Sequence, residues 1–343
     1  MPCSPTRSRL PFPPAAERGT PAPMHDAVII FNSRSGEDRG SDLDLSRPVA
    51  GRLRERGVDA GVIGFANTGG PPGNWRRRLD QALEAGVRYV YAVGGDGTVL
   101  AVAQALLERD AVLGIVPTGT ANLLARDLEI PLDPMLAVDA LLEARPRRID
   151  VGRVNSELFL CASMLGMATT LARVRESGRG EGPLRLWPRL LGNALWMLWR
   201  YPHRRIILQV DGRVLTLRSR TLVITNNPLL PQAGLYPRRG RLDSGLLGIY
   251  GVREGSFREL PRVALRLLNG SWADEPLIFH HDAPRLRVQA PSVRRRDRRI
   301  TVLNDGERVR LDLPLCYEVQ PRALSVLDAA SRPPSAMAPH SAD

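Results

Sequence analysis

The chain is organised around the stretch Val93-Gly94-Gly95-Asp96-Gly97-Thr98-Val99. An apolar run at 89–93 predicts a buried strand before it, and apolar residues at helical spacing over 99–107 predict a helix after it. Glycine lets a ligand approach the backbone closely, and a helix start offers free N–H groups and a positive dipole end. Because the Asp96 carboxylate would repel phosphates unless a divalent cation lay between them, the turn predicts a metal–nucleotide site. The simpler alternative is a tight turn with an incidental aspartate.

Composition narrows the chemistry of such a site. The chain has 343 residues, enough for two domains, a formal net charge of +12 and no lysine. A Walker A motif is therefore excluded, and phosphates must be held by backbone N–H groups, arginine and metal. The positive charge favours an anionic membrane surface or substrate as readily as nucleic acid. The arginine cluster at 294–299 lacks interleaved aromatic residues, so no nucleic-acid partner is expected.

The first part of the chain carries three polar or glycine-rich turns, each directly after a predicted strand. The strands lie at 27–31, 89–93 and 112–116 and alternate with helical segments. Such alternation predicts a doubly wound, mostly parallel α/β sheet, whose carboxyl edge is where ligands bind. The third turn adds groups suited to phosphate or ribose, namely Thr118, Thr120 and Asn122. A helix cap is the plainer role for Asn122.

After Asp150 the pattern changes to short alternating strands, which predict an antiparallel β-sandwich. We expect disordered tails at 1–24 and 329–343, an α/β domain at 25–150 and the sandwich at 151–320. The segment 184–201, rich in tryptophan and arginine, predicts either a core helix or an amphipathic helix at a membrane surface. No apolar run reaches the ~18–20 residues of a membrane span.

A second candidate for chemistry lies near the end of the chain. Asp305-Gly306 favours a type I′ turn between two strands, which accounts for both residues without any catalytic role. Glu307 directly after the turn is either an exposed strand residue or a well-placed general base.

These motifs together resemble the diacylglycerol kinase catalytic family, the lipid kinases that include bacterial diacylglycerol and sphingosine-type enzymes. The resemblance runs from about residue 26 to 327 and rests on five motifs in order: 32–36, 94–99, 117–126, 241–246, and 305–307 followed by Pro321-Arg322-Ala323-Leu324. It implies an ATP- and Mg²⁺-dependent transfer of the γ-phosphate to a lipid hydroxyl. It also implies that the lipid binds the second domain and that the final strand, near 321–328, returns to the first.

The resemblance assigns roles residue by residue. Glu307 matches the proton acceptor, and Asp96 would hold Mg²⁺ directly or through water. The implied nucleotide contacts are Asn32, Gly94, Gly95, Asp96, Gly97, Thr98, Val99, Gly119, Thr120 and Asn122, with Thr68 or Asn67 after the second strand. A structural Mg²⁺ loop would use Asp243, Ser244 and Leu246. The chain departs from the family by having Leu123 and Ser244 where the family has aspartate, and serine is the poorer ligand for a hard cation.

Two further functions compete with this interpretation. An NAD kinase shares the Gly-Gly-Asp-Gly-Thr turn but normally carries an Asn-Glu pair, and this chain has no Asn-Glu dipeptide. A non-catalytic, membrane-associated nucleotide-binding protein would bind ATP without phosphorylating any lipid. We expect a cytoplasmic protein that contacts the inner membrane face peripherally. The sequence does not identify the acceptor lipid. It also leaves undecided whether two copies form a homodimer through an edge strand of the second domain.

Overall fold

The computed structural model describes residues 26–32, 45–65, 74–167, 203–232, 238–255, 269–290 and 299–331, with a few positions between 259 and 266. Several predictions lie outside these residues: the turn beyond Asn32, Asn67 and Thr68, the segment 184–201, the arginines at 294–298, and most of both predicted tails. Among the described residues, no helix combines the length and apolar character needed to cross a bilayer.

The N-terminal part alternates strands and helices as predicted. Its elements are β1 Ala27–Phe31, α1 Ser46–Glu55, β2 Ala60–Gly64, α2 Asn74–Glu84, β3 Tyr89–Gly94, α3 Asp96–Leu106, β4 Val112–Pro117, α4 Leu123–Asp127 and α5 Pro134–Glu143. The four strands run parallel in the order β2-β1-β3-β4. Helix α3 packs on β3 and β4, α5 packs on β4, and α1 packs on α5 and β2. This packing leaves β1, β3 and β4 almost wholly buried, as parallel strands usually are.

The remainder is dominated by antiparallel strands. They are β5 Arg145–Val154, β6 Glu157–Phe159, β7 Ala162–Gly166, β8 Arg204–Val210, β9 Arg213–Asn226, β10 Leu247–Arg253, β11 Ile278–Ala283, β12 Arg285–Gln289, β13 Arg299–Asn304, β14 Glu307–Asp312 and β15 Leu315–Asp328. They surround a second apolar core, which includes Phe159, Leu208, Ile224 and Tyr317. The predicted sequence of a parallel α/β sheet followed by antiparallel strands is confirmed.

Two of these strands are longer than the sequence pattern predicts. Separate strands at 214–217 and 221–225 are a single strand, β9, whose first half pairs with β8 and whose second half pairs with β7 and β10. Strand β15 pairs with β12 at its start and in parallel with β4 near its end, and β5 runs antiparallel to it along most of its length. Each of these strands changes its pairing partners along its length. The alternation of buried and exposed residues therefore changes within the strand, and the sequence pattern predicts two strands instead of one.

Candidate active site

Two glycine turns touch at the carboxyl edge of the parallel sheet. Helix α3 begins at Asp96, three residues earlier than predicted, so Asp96, Gly97 and Thr98 form its first turn after Gly95. A Cβ atom built on Gly119 would lie 2.7 Å from the Cα of Gly95, so no side chain fits between the loops after β3 and β4. The backbone N–H of Thr118 donates to the carbonyl of Gly94 at 3.1 Å. The two turns therefore form one continuous backbone surface.

Asp96 holds the second turn in place. Its carboxylate accepts the N–H of Asn122 at 3.0 Å and the N–H of Leu123 at 2.8 Å. These bonds satisfy the start of α4, so the helix-cap role proposed for the Asn122 side chain is wrong. Instead, the Asn122 carboxamide accepts from the N–H of Gly119 at 3.0 Å and donates to its carbonyl at 2.7 Å. The left-handed backbone of Asn122, with φ of 49°, allows this closed turn.

The first-strand turn lies beside the same helix start. The Nδ2 of Asn32 donates to the Oγ1 of Thr98 at 2.9 Å. Thr120 is exposed on the loop after β4. Val99, in contrast, is a core residue, since its side chain is buried and its N–H bonds to the carbonyl of Gly95 at 3.1 Å. The structure therefore places Asn32, the glycine turns and Thr120 along one edge, while Thr68 lies outside the described residues.

Glu307 reaches this edge from the other part of the chain. The β13–β14 hairpin turns through Asp305 and Gly306, whose φ angles of 47° and 91° agree with the predicted type I′ turn, and Asn304 pairs with Glu307. A Cβ built on Gly97 would lie 3.0 Å from Oε1 of Glu307. The Glu307 side chain is exposed and makes no hydrogen bond or ion pair with the described residues. The Glu307 carboxylate, unpaired among the described residues, thus lies beside the first turn of α3, which begins with Asp96.

Asp305 does more than form a turn. Its carboxylate is buried and accepts three backbone N–H groups, from Leu160 at 2.5 Å and from Cys161 and Ala162 at 2.8 Å each. Burial raises the pKa of Asp305, although the three N–H donors and Arg239 act in the opposite direction. Sequence analysis explained this aspartate by its turn alone, because the segment at 160–162 is remote in sequence.

Arg239 is a site residue that sequence analysis missed. Its buried guanidinium bonds Asp127, at the end of α4, with a shortest distance of 2.6 Å. It also donates to the carbonyls of Leu160 at 2.6 Å and Asn226 at 2.8 Å. Leu160 therefore connects Arg239 to Asp305, and a continuous set of hydrogen bonds joins the turn that Asp96 holds to the hairpin that carries Glu307. One arginine among several at 238–241, in a chain rich in arginine, gives no sequence signal for this role.

The predicted structural metal loop contains residues that bond other parts of the protein. The Asp243 carboxylate lies between Arg147 and Arg241, each at 3.3 Å. Both arginines lower its pKa, against the effect of burial, so the net pKa is below the ordinary value. The Ser244 hydroxyl donates to Oδ1 of Asn227 at 2.6 Å, and the carbonyl of Leu246 accepts the Asn227 N–H at 3.0 Å. The role of Asp243, Ser244 and Leu246 as ligands of a structural Mg²⁺ stays a prediction. Within the described part of the chain, no cluster of three metal-ligating side chains occurs.

Asp96 fits a cation of a different kind. Mg²⁺ at kinase sites is held by one or two carboxylates together with substrate phosphates and water, so a single aspartate beside the glycine turns is a sufficient protein ligand. The Asp96 carboxylate accepts one N–H on each oxygen and lies at the edge where the two glycine turns meet. A parallel α/β sheet with two touching glycine turns at its carboxyl edge, joined to antiparallel strands that present a carboxylate, is an arrangement typical of a kinase.

Comparison with known proteins identifies which kind. The diacylglycerol kinase catalytic domain model matches residues 26–154, and the YegS C-terminal NAD kinase beta sandwich-like domain model matches residues 189–328. The chain is 30% identical to a Chromohalobacter salexigens protein named "Probable lipid kinase YegS-like", over 71% of this chain and 76% of that protein. It is also 30% identical to a diacylglycerol kinase of Staphylococcus saprophyticus, over 77% of this chain and 85% of that protein.

A solved structure agrees with the fold. The crystal structure of a diacylglycerol kinase from Bacillus anthracis superimposes with a TM-score of 0.62 at 17% identity, covering 89% of this chain and 97% of that one. The chain belongs to the diacylglycerol kinase family and is a lipid kinase. The predicted combination of an α/β domain and a β-sandwich is confirmed.

Proposed function

We propose that the protein transfers the γ-phosphate of ATP to a lipid hydroxyl, with Glu307 accepting the proton of that hydroxyl. The observation that carries this proposal is the position of Oε1 of Glu307, 3.0 Å from where a Cβ on Gly97 would lie, in the first turn of α3. Phosphoryl transfer depends mainly on positioning and on neutralising charge. The remaining task for a side chain is to accept the proton of the attacking hydroxyl, which requires a base within hydrogen-bond reach of that hydroxyl.

In this proposal the N-terminal part of the chain binds the nucleotide, and the C-terminal part supplies the base. Backbone N–H groups at the start of α3 and in the loop after β4 hold the phosphates, since the chain has no lysine to do so. Asp96 would hold Mg²⁺, which supplies charge neutralisation when bound. The hydroxyl proton moves to Glu307 as the hydroxyl oxygen bonds to the γ-phosphorus, and the bond from that phosphorus to the β–γ bridging oxygen breaks, leaving ADP. The acceptor is proposed to be a membrane lipid that the protein reaches peripherally.

The test is incubation with labelled ATP, Mg²⁺ and a total lipid extract, with the labelled product identified by mass. We expect Glu307→Gln to lower turnover by about 10²–10⁴-fold, the usual contribution of a general base, and to leave ATP binding nearly unchanged. The matched control is Glu84→Gln, an exposed glutamate at the end of α2. Labelled NADP in place of a labelled lipid would show an NAD kinase instead, and ATP binding without any labelled product would show a non-catalytic protein.

A further inference from the structure

Asn304 is a buried polar residue whose side chain has no hydrogen-bond partner among the described residues. It is the last residue of β13 and is 1% exposed. Neither its Oδ1 nor its Nδ2 makes a hydrogen bond in the part of the chain that the structure describes. A buried carboxamide without partners destabilises the fold, so such a group in a native protein calls for an explanation.

Other buried asparagines of this protein show the contrast. Asn122 uses both ends of its carboxamide on Gly119. Asn226 donates to the carbonyls of Asp150 and Leu160, and Asn227 accepts from Ser244. Asn226 and Asn227 each leave one end of the carboxamide without a partner among the described residues, whereas Asn304 leaves both ends without one.

The strand register places Asn304 next to the proposed base. Asn304 pairs with Glu307 on β14 and with Ser163 on β7. Directly opposed residues of antiparallel strands point to the same face, so the three side chains form a row. The Ser163 hydroxyl is already bonded to the hydroxyl of Tyr317 at 3.0 Å. Asn304 is thus the buried side chain of this row that makes no hydrogen bond with the described residues.

We propose that Asn304 binds the acceptor lipid by hydrogen-bonding the oxygen or nitrogen on the carbon next to the reacting carbinol. This inference rests on the proposed function, because it takes Glu307 as the base at that carbinol. Opposed side chains in a sheet have Cβ atoms about 4.5–5.5 Å apart, a spacing that suits two polar groups on adjacent carbons. Glu307 is exposed and unpaired, so its side chain can rotate to admit the acceptor.

The acceptor class follows from this pairing. Diacylglycerol carries an ester oxygen on the carbon next to its hydroxyl-bearing carbon, and ceramide carries an amide nitrogen there. A long-chain primary alcohol has nothing at that position. A carboxamide donates to an ester and both donates to and accepts from an amide, so Asn304 favours the first two lipids over the plain alcohol.

The experiment crosses enzyme variants with acceptors. Wild type and Asn304→Leu are assayed with diacylglycerol, ceramide and a long-chain primary alcohol in mixed detergent micelles. We expect wild type to prefer diacylglycerol or ceramide, and the variant to lose roughly tenfold or more in kcat/KM for the preferred lipid, as when a site loses a specific hydrogen bond. The KM for ATP and the kcat/KM for the alcohol should change little. The Tm should stay equal or rise, because an unpaired buried carboxamide is removed.

The outcomes separate a ligand-binding role from a structural one. Thr301→Val, on the same strand, is the matched control and should behave as wild type. Asn304→Ala replaces Asn304→Leu if leucine prevents folding. Equal losses for all acceptors with a lower Tm would mean that Asn304 is structural, and an unchanged lipid preference would also overturn the inference. Wild type that labels no lipid, here or in the total extract, overturns the proposed function itself and this inference with it.

Discussion

Asp305 and Asp96 each hold the backbone of a segment that is distant in sequence. Asp305 takes the N–H groups of residues 160–162, and Asp96 takes those of Asn122 and Leu123. A carboxylate offers about four acceptor sites, so it can bind three N–H groups at once, whereas an amide or hydroxyl oxygen accepts at most two. Both residues are therefore positioning residues, whatever further contact Asp96 makes with a bound cation.

Asp305→Asn tests this role at the hairpin. The amide has one acceptor oxygen, so at least one of the three buried N–H groups loses its partner, which costs about 1–3 kcal/mol. We expect the free energy of unfolding to fall by that amount in urea denaturation. Lipid phosphorylation should decrease more than ATP affinity, since Glu307 follows Asp305 by two residues.

The matched control for this change is Asp312→Asn, at the far end of the same hairpin. Asp312 is exposed and pairs with Arg299 at 3.3 Å on the surface. Surface pairs of this kind contribute about 0–1 kcal/mol. Equal stability of Asp305→Asn and wild type would show that the three N–H bonds do not hold the hairpin.

At the scale of elements, the central contact joins helix α4 to the β13–β14 hairpin. Arg239 bonds Asp127 on α4 and the carbonyl of Leu160, and the N–H of Leu160 bonds Asp305 on the hairpin. Both Arg239 and Asp127 are buried, with 3% and 7% of their side chains exposed. Arg239 thus links helix α4, which follows the second glycine turn, to the hairpin that carries Glu307.

Arg239→Met should be strongly destabilising. Removing one member of a buried ion pair leaves an uncompensated charge and typically costs about 3–5 kcal/mol, here at Asp127. Urea denaturation measures the loss. Arg238→Met is the control, because Arg238 is 43% exposed and its contacts, with Glu129 at 3.3 Å and with the carbonyl of Arg126 at 3.0 Å, lie nearer the surface. A similar stability for the two variants would argue against Arg239 as the joining residue.

At the scale of the whole molecule, strand β15 contributes buried residues to both cores. Strand β15 contributes Leu315 and Tyr317 to the second core and Leu324, Val326 and Leu327 to the first. Its last part pairs in parallel with β4, the strand that leads into the second glycine turn. The C-terminal part of the chain therefore completes the parallel part of the sheet that carries the glycine turns.

Val326→Asp tests this dependence. Val326 is fully buried beside Leu113, and an unpaired charge there costs several kcal/mol. We expect a large fall in Tm and loss of ATP binding, measured by thermal unfolding and nucleotide titration, although residue 326 lies far in sequence from the turns. Val214→Asp is the control, because Val214 is 65% exposed on β9. Retained ATP binding at the wild-type Tm in Val326→Asp would contradict the shared-strand account.

Much of the architecture follows from local pattern. The strand before Gly94, the helix after it and the type I′ turn at Asp305-Gly306 are visible because hydrophobic period and turn chemistry are properties of neighbouring residues. Prediction failed where one strand changes partners, as in β9, and where a side chain has a stronger competitor, as when Asp96 rather than the Asn122 side chain caps α4. The metal loop at Asp243 stays a prediction, and the two arginines beside its carboxylate are contacts that sequence analysis did not place there.

The sequence by itself determined the order of elements, the glycine turns, the absence of a lysine for phosphate and the candidate base Glu307. Only the tertiary structure decided that Glu307 lies beside Gly97, that Arg239 joins the two parts, and that the buried Asn304 side chain has no hydrogen-bond partner among the described residues. The physical reason is that spacing along the chain reports only local geometry. Burial and pairing of polar groups depend on which distant segments the sheet brings together, and those contacts have no signature in a single sequence.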